Sequence, residues 1–463
     1  MITRVSAVVA ALAMTGATVP AAAAAHPNPA APPSGAAAPL TPSPARVPIA
    51  PGAITSAPVA APEPRPATPA GVRHRRVVSE DPVDHTPHVL DGIVNAIAMV
   101  GRTVVVGGAF TRVREAGGGP VLARSNVFAF DVRTGRVLRG FAPRVHGPVY
   151  ALAAGEEGTV YVGGDFVTAG RGSGSALARL RLSDGSAVSG FTPRVLGGPV
   201  RDLVASGTKL YVGGDFSTAG GRLRNGLARL DATTGAADPA FSVTPGRPRS
   251  GGIKVYTLAL AGDRLAVGGN FGTLDGLSRP QLGLIDVGGR VAKVAPWRTA
   301  EYAPTCSPRF PDAVRDVAFS PEGDYFVVVA TGGIGGPRRL CDAAARFETR
   351  ARGNAIRPTW VNHTGGDSLY AVAVTGAAVY VGGHQRWLDN PQGRDSAGPG
   401  AVERPGIGAI HPRTGKALRW NPTRDRGIGV KAFLAHREGL LVGSDTTRLG
   451  REYHARVGMF PLR

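Results

Sequence analysis

A glycine pair at the end of a short apolar run recurs through this 463-residue chain and limits what it can fold into. The first glycine of each pair, or its equivalent, is Gly107, Gly163, Gly213, Gly268, Gly332, Gly382 and Gly443. Successive steps are 56, 50, 55, 64, 50 and 61 residues. Periods of this size mean stacked supersecondary units, and they suit a four-stranded propeller blade better than a solenoid coil. The third unit shows the plan. Residues 200–205 alternate apolar and polar, 210–214 follow a short turn, and 227–231 make a third strand. Thr233-Thr234-Gly235 turns tightly into a fourth strand at 236–241. The expected fold is all-β, a seven-bladed β-propeller of four-stranded antiparallel blades. The fifth unit is degenerate, with its first two strands read from 316–323 and 325–329. The seventh supplies three strands, near 430–435, 440–442 and 455–462, where the pattern asks for four. Residues 76–78 and 84–89 resemble a fourth-strand ending. The N-terminal segment is therefore expected to complete the last blade and close the ring, which removes free sheet edges.

Residues 1–25 read as a signal peptide: Arg4, an apolar stretch, then small residues. Residues 26–72 are rich in Pro and Ala and too poor in large apolar groups to fold, so a disordered linker is expected there. The propeller takes 73–463. No later stretch is apolar enough to span a bilayer, so no transmembrane segment is expected after signal cleavage. A secreted protein follows, extracellular or associated with the cell wall. Export makes a disulfide the natural state of the two cysteines, Cys306 and Cys341, which the topology sets on one rim.

The formal net charge is +20, carried almost wholly by arginine. Such a surface attracts anionic partners, here an anionic cell-envelope polymer or glycan. No basic-aromatic strand pattern or helix motif points to specific nucleic-acid readout, and a monomer is expected. Chemistry leaves few marks. The glycine pairs recur in every unit and read as structural, with Asp165, Asp215 and Asn270 capping the loops after three of them. There is no Asp-x-Asp-x-Asp-Gly calcium loop, no Gly-x-Ser-x-Gly elbow and no zinc-type His pair. No cofactor, metal site or catalytic set is expected, and a binding module fits better than an enzyme.

One stretch departs from the repeat. After Gly382-Gly383 the chain reads His384-Gln385-Arg386-Trp387, then runs through a Gly/Pro-rich loop to Glu403-Arg404-Pro405. The topology puts this loop on the cysteine rim with Asp367, Ser368, Arg426 and Asp445. A tryptophan beside arginines and carboxylates suits a sugar or an anion. The expected ligand-binding set is Asp367, Ser368, His384, Gln385, Arg386, Trp387, Arg404, Arg426 and Asp445, on the rim of blades five to seven. A loop that plugs the ring is the structural alternative. A carbohydrate-active enzyme, a lyase or hydrolase on the same rim, would use His384, Asp367 or Asp445 as acid or base and Arg386 to hold an anionic group. A protein-interaction scaffold would instead show an apolar rim.

The repeated Val-Gly-Gly-Asp-Phe, Ala-Arg-Leu-Asp and Thr-Gly elements resemble the delta-60 repeat β-propellers, secreted actinobacterial proteins of largely unknown function. The likeness covers about residues 77–463. Residues 366–370, 381–387 and 442–446 are similar to the ending of a subgroup. The resemblance implies a propeller and secretion, and no reaction.

Overall fold

The computed structural model describes residues 71–166 and 175–462. The expected signal peptide and all but the last two residues of the expected linker lie outside the described residues. The apolar runs form strands, and no helix occurs among the described residues. Seven antiparallel sheets among them repeat one order, in which a leading strand pairs with the next and that with a third. The leading strands are Ile93–Val100, Val149–Ala154, Val200–Ser206, Val255–Ala261, Ala313–Phe319, Leu369–Val374 and Ala432–His436. Each apolar cluster lies between two neighbouring sheets. One cluster joins Tyr161 and Leu177 to Val200 and Leu210, for example. Another joins the last sheet to the first, through Leu441, Val457 and Met459 against Val94, Val104 and Phe128. Twisted sheets stacked face to face by shared apolar layers make a β-propeller.

The glycine column has a steric cause. A Cβ on Gly107 would lie 2.5 Å from Val149 Cγ1, and one on Gly163 would lie 2.5 Å from Val200 Cγ1. Gly213, Gly268 and Gly382 meet Val255, Val314 and Val430 in the same way, and Gly443 meets Val94. Six of the seven sheets thus make room for a valine at the start of the next leading strand. Residue pairing corrects one member of the column. Val329 faces Asp316 as Gly107 faces Ala96, so Val329-Ala330 replaces the pair and Gly332 lies beyond the strand.

The outer edges differ from the expectation. In the third unit, only a single bridge, Leu230 to Ala237, remains of the fourth strand. The Asp231 carboxylate accepts from Thr233 and Thr234 N–H and tightens the turn, and Pro239 then has no N–H to donate. The fifth unit, the weakest in sequence, has a fuller outer strand at Trp360–His363.

The N-terminal segment lies along the last sheet. Ser79 N–H donates to Pro461 O, Val83 N–H to Met459 O and Val89 N–H to Ala455 O, each at 2.9 Å. Val78 packs with Tyr380, Trp420 and Phe460. His88–Val89 then pairs with Arg112–Arg114 of the first unit. Side chains also stitch neighbouring sheets together. Asn95 Nδ2 donates to Val149 O, and Asp202 and Asp316 accept from Leu258 and Val372 N–H. Cys306 and Cys341 form a disulfide, with Cα atoms 5.7 Å apart.

Candidate functional site

The rim residues meet, but mostly to neutralise one another. Asp367 is buried and holds two arginines, Arg386 Nε at 2.9 Å and Arg426 Nη2 at 3.2 Å. Arg386 also pairs with Asp395 and lies over the Trp387 ring, 4.3 Å from its centroid. Trp387 is half-buried at the start of a small hairpin, Trp387–Leu388 against Val402–Glu403. Ser368 Oγ donates to Asp342 Oδ1. Asp445 accepts from Gly429 N–H at 3.0 Å and lies 3.8 Å from Arg424. The long loop is tied down through buried Asn390, which donates to Thr364 O and Ser396 O and accepts from Gly398 N–H.

Besides Asp367, two more of the expected ligand-binding residues are buried, Gln385 and Arg404. Arg404 donates to Leu418 O and Glu403 O, and Arg124, Arg224 and Arg279 repeat its contact with the preceding carbonyl. Gln385 is fully enclosed where other units place Phe166, Phe216 and Phe271, and its amide atoms find no partner among the described residues.

A second constellation lies where the leading strands begin. In each of the first six sheets one residue there is skipped by the pairing: Asn95, Tyr150, Arg201, Tyr256, Arg315 and Tyr370. Lys431 has the corresponding place in the seventh, its N–H donating to Gly443 O. A bulge of this kind re-aims a side chain, and all seven keep partial exposure. Six of them touch in succession. Arg201 lies 5.8 Å from the Tyr150 ring centroid and 5.6 Å from that of Tyr256. Arg315 lies 5.2 Å from Tyr256 and 6.0 Å from Tyr370. Lys431 Nζ lies 3.3 Å from the Tyr370 centroid. The row therefore alternates tyrosine and cation across six successive sheets, and cation–π attraction holds it together.

Charge along the row is uneven. Arg201 is paired with Asp215, Nη2 to Oδ2 at 2.6 Å. Arg315 donates to Thr331 Oγ1, and neither it nor Lys431 has a carboxylate ion pair among the described residues. Burial pushes the Lys431 ammonium down to about 8, and Arg315 and Arg424 push the same way against Asp445. The row meets the rim at His384, whose Nδ1 lies 3.5 Å from Tyr370 Oη and whose carbonyl accepts from Arg426. Burial lowers the His384 pKa, with Asp367 opposing and Arg426 and Lys431 assisting. Asp202 and Asp316 stand one residue beyond the row with some exposure. Desolvation pushes their carboxyls up to about 7 and about 6 despite the main-chain donors they accept.

The row does not show in full when the units are aligned on their glycines, because the spacing from this residue to the glycine varies. Aligning instead on the valine or leucine that opens each leading strand gives Asn, Tyr, Arg, Tyr, Arg, Tyr and Lys as the next residue. Six of these alternate aromatic and cationic, and that was legible.

Residues 209–241 match the model of a β-propeller domain of unknown function, DUF5122. No curated protein matches the chain. Among solved structures it is similar to the computationally designed Ika8 protein, at 13% identity over 83% of this chain and 99% of that one, TM-score 0.44. It is similar to the WD40 β-propeller domain of Doa1 at 11% identity, over 83% and 95%, TM-score 0.44. For BamB from Moraxella catarrhalis the values are 12%, 85% and 96%, with TM-score 0.40. With its repeated sheets and the matched repeat, this chain is a β-propeller.

Proposed function

We propose that this is a secreted, non-catalytic, seven-bladed propeller of the delta-60 repeat kind that binds an anionic ligand of the cell envelope or extracellular space. Ring closure by the N-terminal segment is part of the proposal. It is supported by the bonds from 79, 83 and 89 to the last strand and by the apolar cluster between the last and first sheets. In a closed ring the alternating row lines the mouth of the central channel, on the face that carries the rim cluster.

The observation that carries the binding reading is this row, with two cations at one end that have no carboxylate ion pair among the described residues. The rim offers less free charge, because Asp367 and Asp395 already occupy Arg386 and Arg426. The binding surface is accordingly centred on Arg315, Tyr370, Lys431 and His384, with Trp387 and Arg426 at its outer edge. The overall charge of +20 draws polyanions toward that face. The test is binding of the full chain to a panel of anionic envelope polysaccharides and polyphosphate, with products analysed after overnight incubation. The proposal expects intact polymer, bound by the native protein and lost in Arg315→Met with Lys431→Met. Cleaved polymer makes the protein an enzyme, and binding that survives both substitutions removes the row from the site.

A further inference from the structure

We infer that Arg315, Tyr370 and Lys431 form a clamp for one compact oxyanion, a carboxylate or tetrahedral end group carried by the ligand. The inference rests on the anionic-ligand reading and adds the number of groups held, their place and the proton they bring. Three observations carry it. First, the row's unneutralised charge is concentrated around one ring. Arg315 and Lys431 both lie against Tyr370, whereas Arg201 is neutralised by Asp215. Second, the two cations disfavour one another, and Lys431 has lost much of its water with no carboxylate ion pair among the described residues, only Asp445 acting in favour of its charge. A desolvated ammonium beside a guanidinium is an arrangement that an anion completes. Third, the carboxylate that acts on Lys431 is held mainly by other groups. Asp445 accepts from Ile428 and Gly429 N–H and faces Arg424.

The chemistry of the two cations is complementary. A guanidinium offers a planar fork to an oxyanion, and an ammonium offers a point charge with rotatable donors. An oxyanion over the edge of Tyr370 would stand between the two, Arg315 lying 6.0 Å and Lys431 3.3 Å from the ring centroid, with His384 beside the phenol. A polymer held along its length needs free cations spaced along its track. Here the free pair stands at one place, which suits an end group. The groups facing Lys431 are Arg315, Arg424, Asp445 and His384, together with the Tyr370 ring. A bound anion opposes the three cationic or ionisable neighbours and raises the proton affinity of the amine. Binding above pH 8 therefore takes up a proton.

The experiment is calorimetric titration of the full chain with acetate and with sulfate at pH 7 and pH 9, where neither ion titrates. The clamp predicts one site per chain and an affinity about tenfold weaker at pH 9, following the loss of Lys431 charge. Lys431→Met and Arg315→Met should each lose the site. Lys431→Arg should bind alike at both pH values, which shows that the charge rather than the fold was lost in Lys431→Met. An affinity independent of pH, or one untouched by Lys431→Met, overturns the clamp. If polymers bind through the row while both small anions give no saturable heat, the clamp falls and the proposed function stands. If neither polymer nor ion binds, both fall.

Discussion

The contact between the last and first sheets can be tested at one pair of atoms 349 positions apart in sequence, Gly443 and Val94. A Cβ on Gly443 would lie 2.5 Å from Val94 Cγ1, against the 3.4–4 Å of ordinary van der Waals contact. Nearly an ångström must be found in a packed apolar layer, and overpacking of this kind costs about 1–3 kcal/mol. Replacing a strand glycine by alanine returns about 0.5–1 kcal/mol of chain entropy. Gly443→Ala should therefore destabilise by roughly 1–2 kcal/mol. Val94→Ala alone leaves a cavity and costs about 1–3 kcal/mol. Together the two changes relieve each other, because the methyl added at 443 enters the space vacated at 94. The double variant should lose less than the sum, with a coupling of at least about 0.5 kcal/mol. Denaturant melts of the four proteins give the cycle, with Gly163→Ala and Val200→Ala as an internal reference from two consecutive sheets. Strict additivity at 443 and 94, alongside coupling at 163 and 200, would mean that the last sheet does not rest on the first.

Other outcomes follow from the same structure. The Cys306–Cys341 bond closes a 35-residue separation, and Cys306→Ser should cost about 3–4 kcal/mol in oxidising buffer; an equal loss in reductant would assign the effect to packing. Gln385→Leu should raise the melting temperature, since two unpartnered polar atoms leave an apolar site. A fall would show that the amide has a buried partner such as water. Burial holds the His436 pKa down at about 4, so between pH 6.5 and 4 the unfolded chain binds the extra proton. Stability at this site is thus present above pH 6.5 and lost as the pH falls. His436→Gln should gain on the native protein over that range, and a constant difference in melting temperature refutes it. Asp342 runs the opposite way. Its carboxyl is raised to about 6 by burial, so the folded state holds the proton longer and stability is lost as the pH rises from 3.8 through 6. Asp342→Asn keeps the acceptor oxygen for Gly332 N–H and should gain on the native protein as the pH rises from 4 to 7.

What could be read in the sequence was what local chemistry dictates. Strand alternation and the Asp231-Ala232-Thr233-Thr234-Gly235 turn follow from short-range sterics and hydrogen bonding, and the glycine column shows because six sheets pack on the next in the same way. The β-propeller arrangement followed from them, and it set the two cysteines, Cys306 and Cys341, on one rim. The fifth unit misled because its glycine pair is absent from the expected place. Val329 fills the column there, and Gly332-Gly333 just beyond the strand imitates it. The outer strands were overestimated because alternation is visible in sequence, while a proline's missing donor matters only once an edge must pair. At the candidate site, residue types were a poor guide to availability. Asp367, Arg386 and Arg426 look like a binding set, and the fold spends them on one another. The alternating row was hidden for a different reason. Its members are 51 to 61 residues apart, and only the register places the extra residue of each bulge beside its neighbour's.

The measurement closest to the central claim is the salt dependence of polymer binding by the native chain and by the Arg315→Met, Lys431→Met double variant. Electrostatic binding through exposed cations weakens as salt screens them. The account predicts a steep fall in native affinity between low and physiological salt, and a weaker, flatter dependence once the two cations are gone. Equal affinities and equal slopes in the two proteins would contradict it.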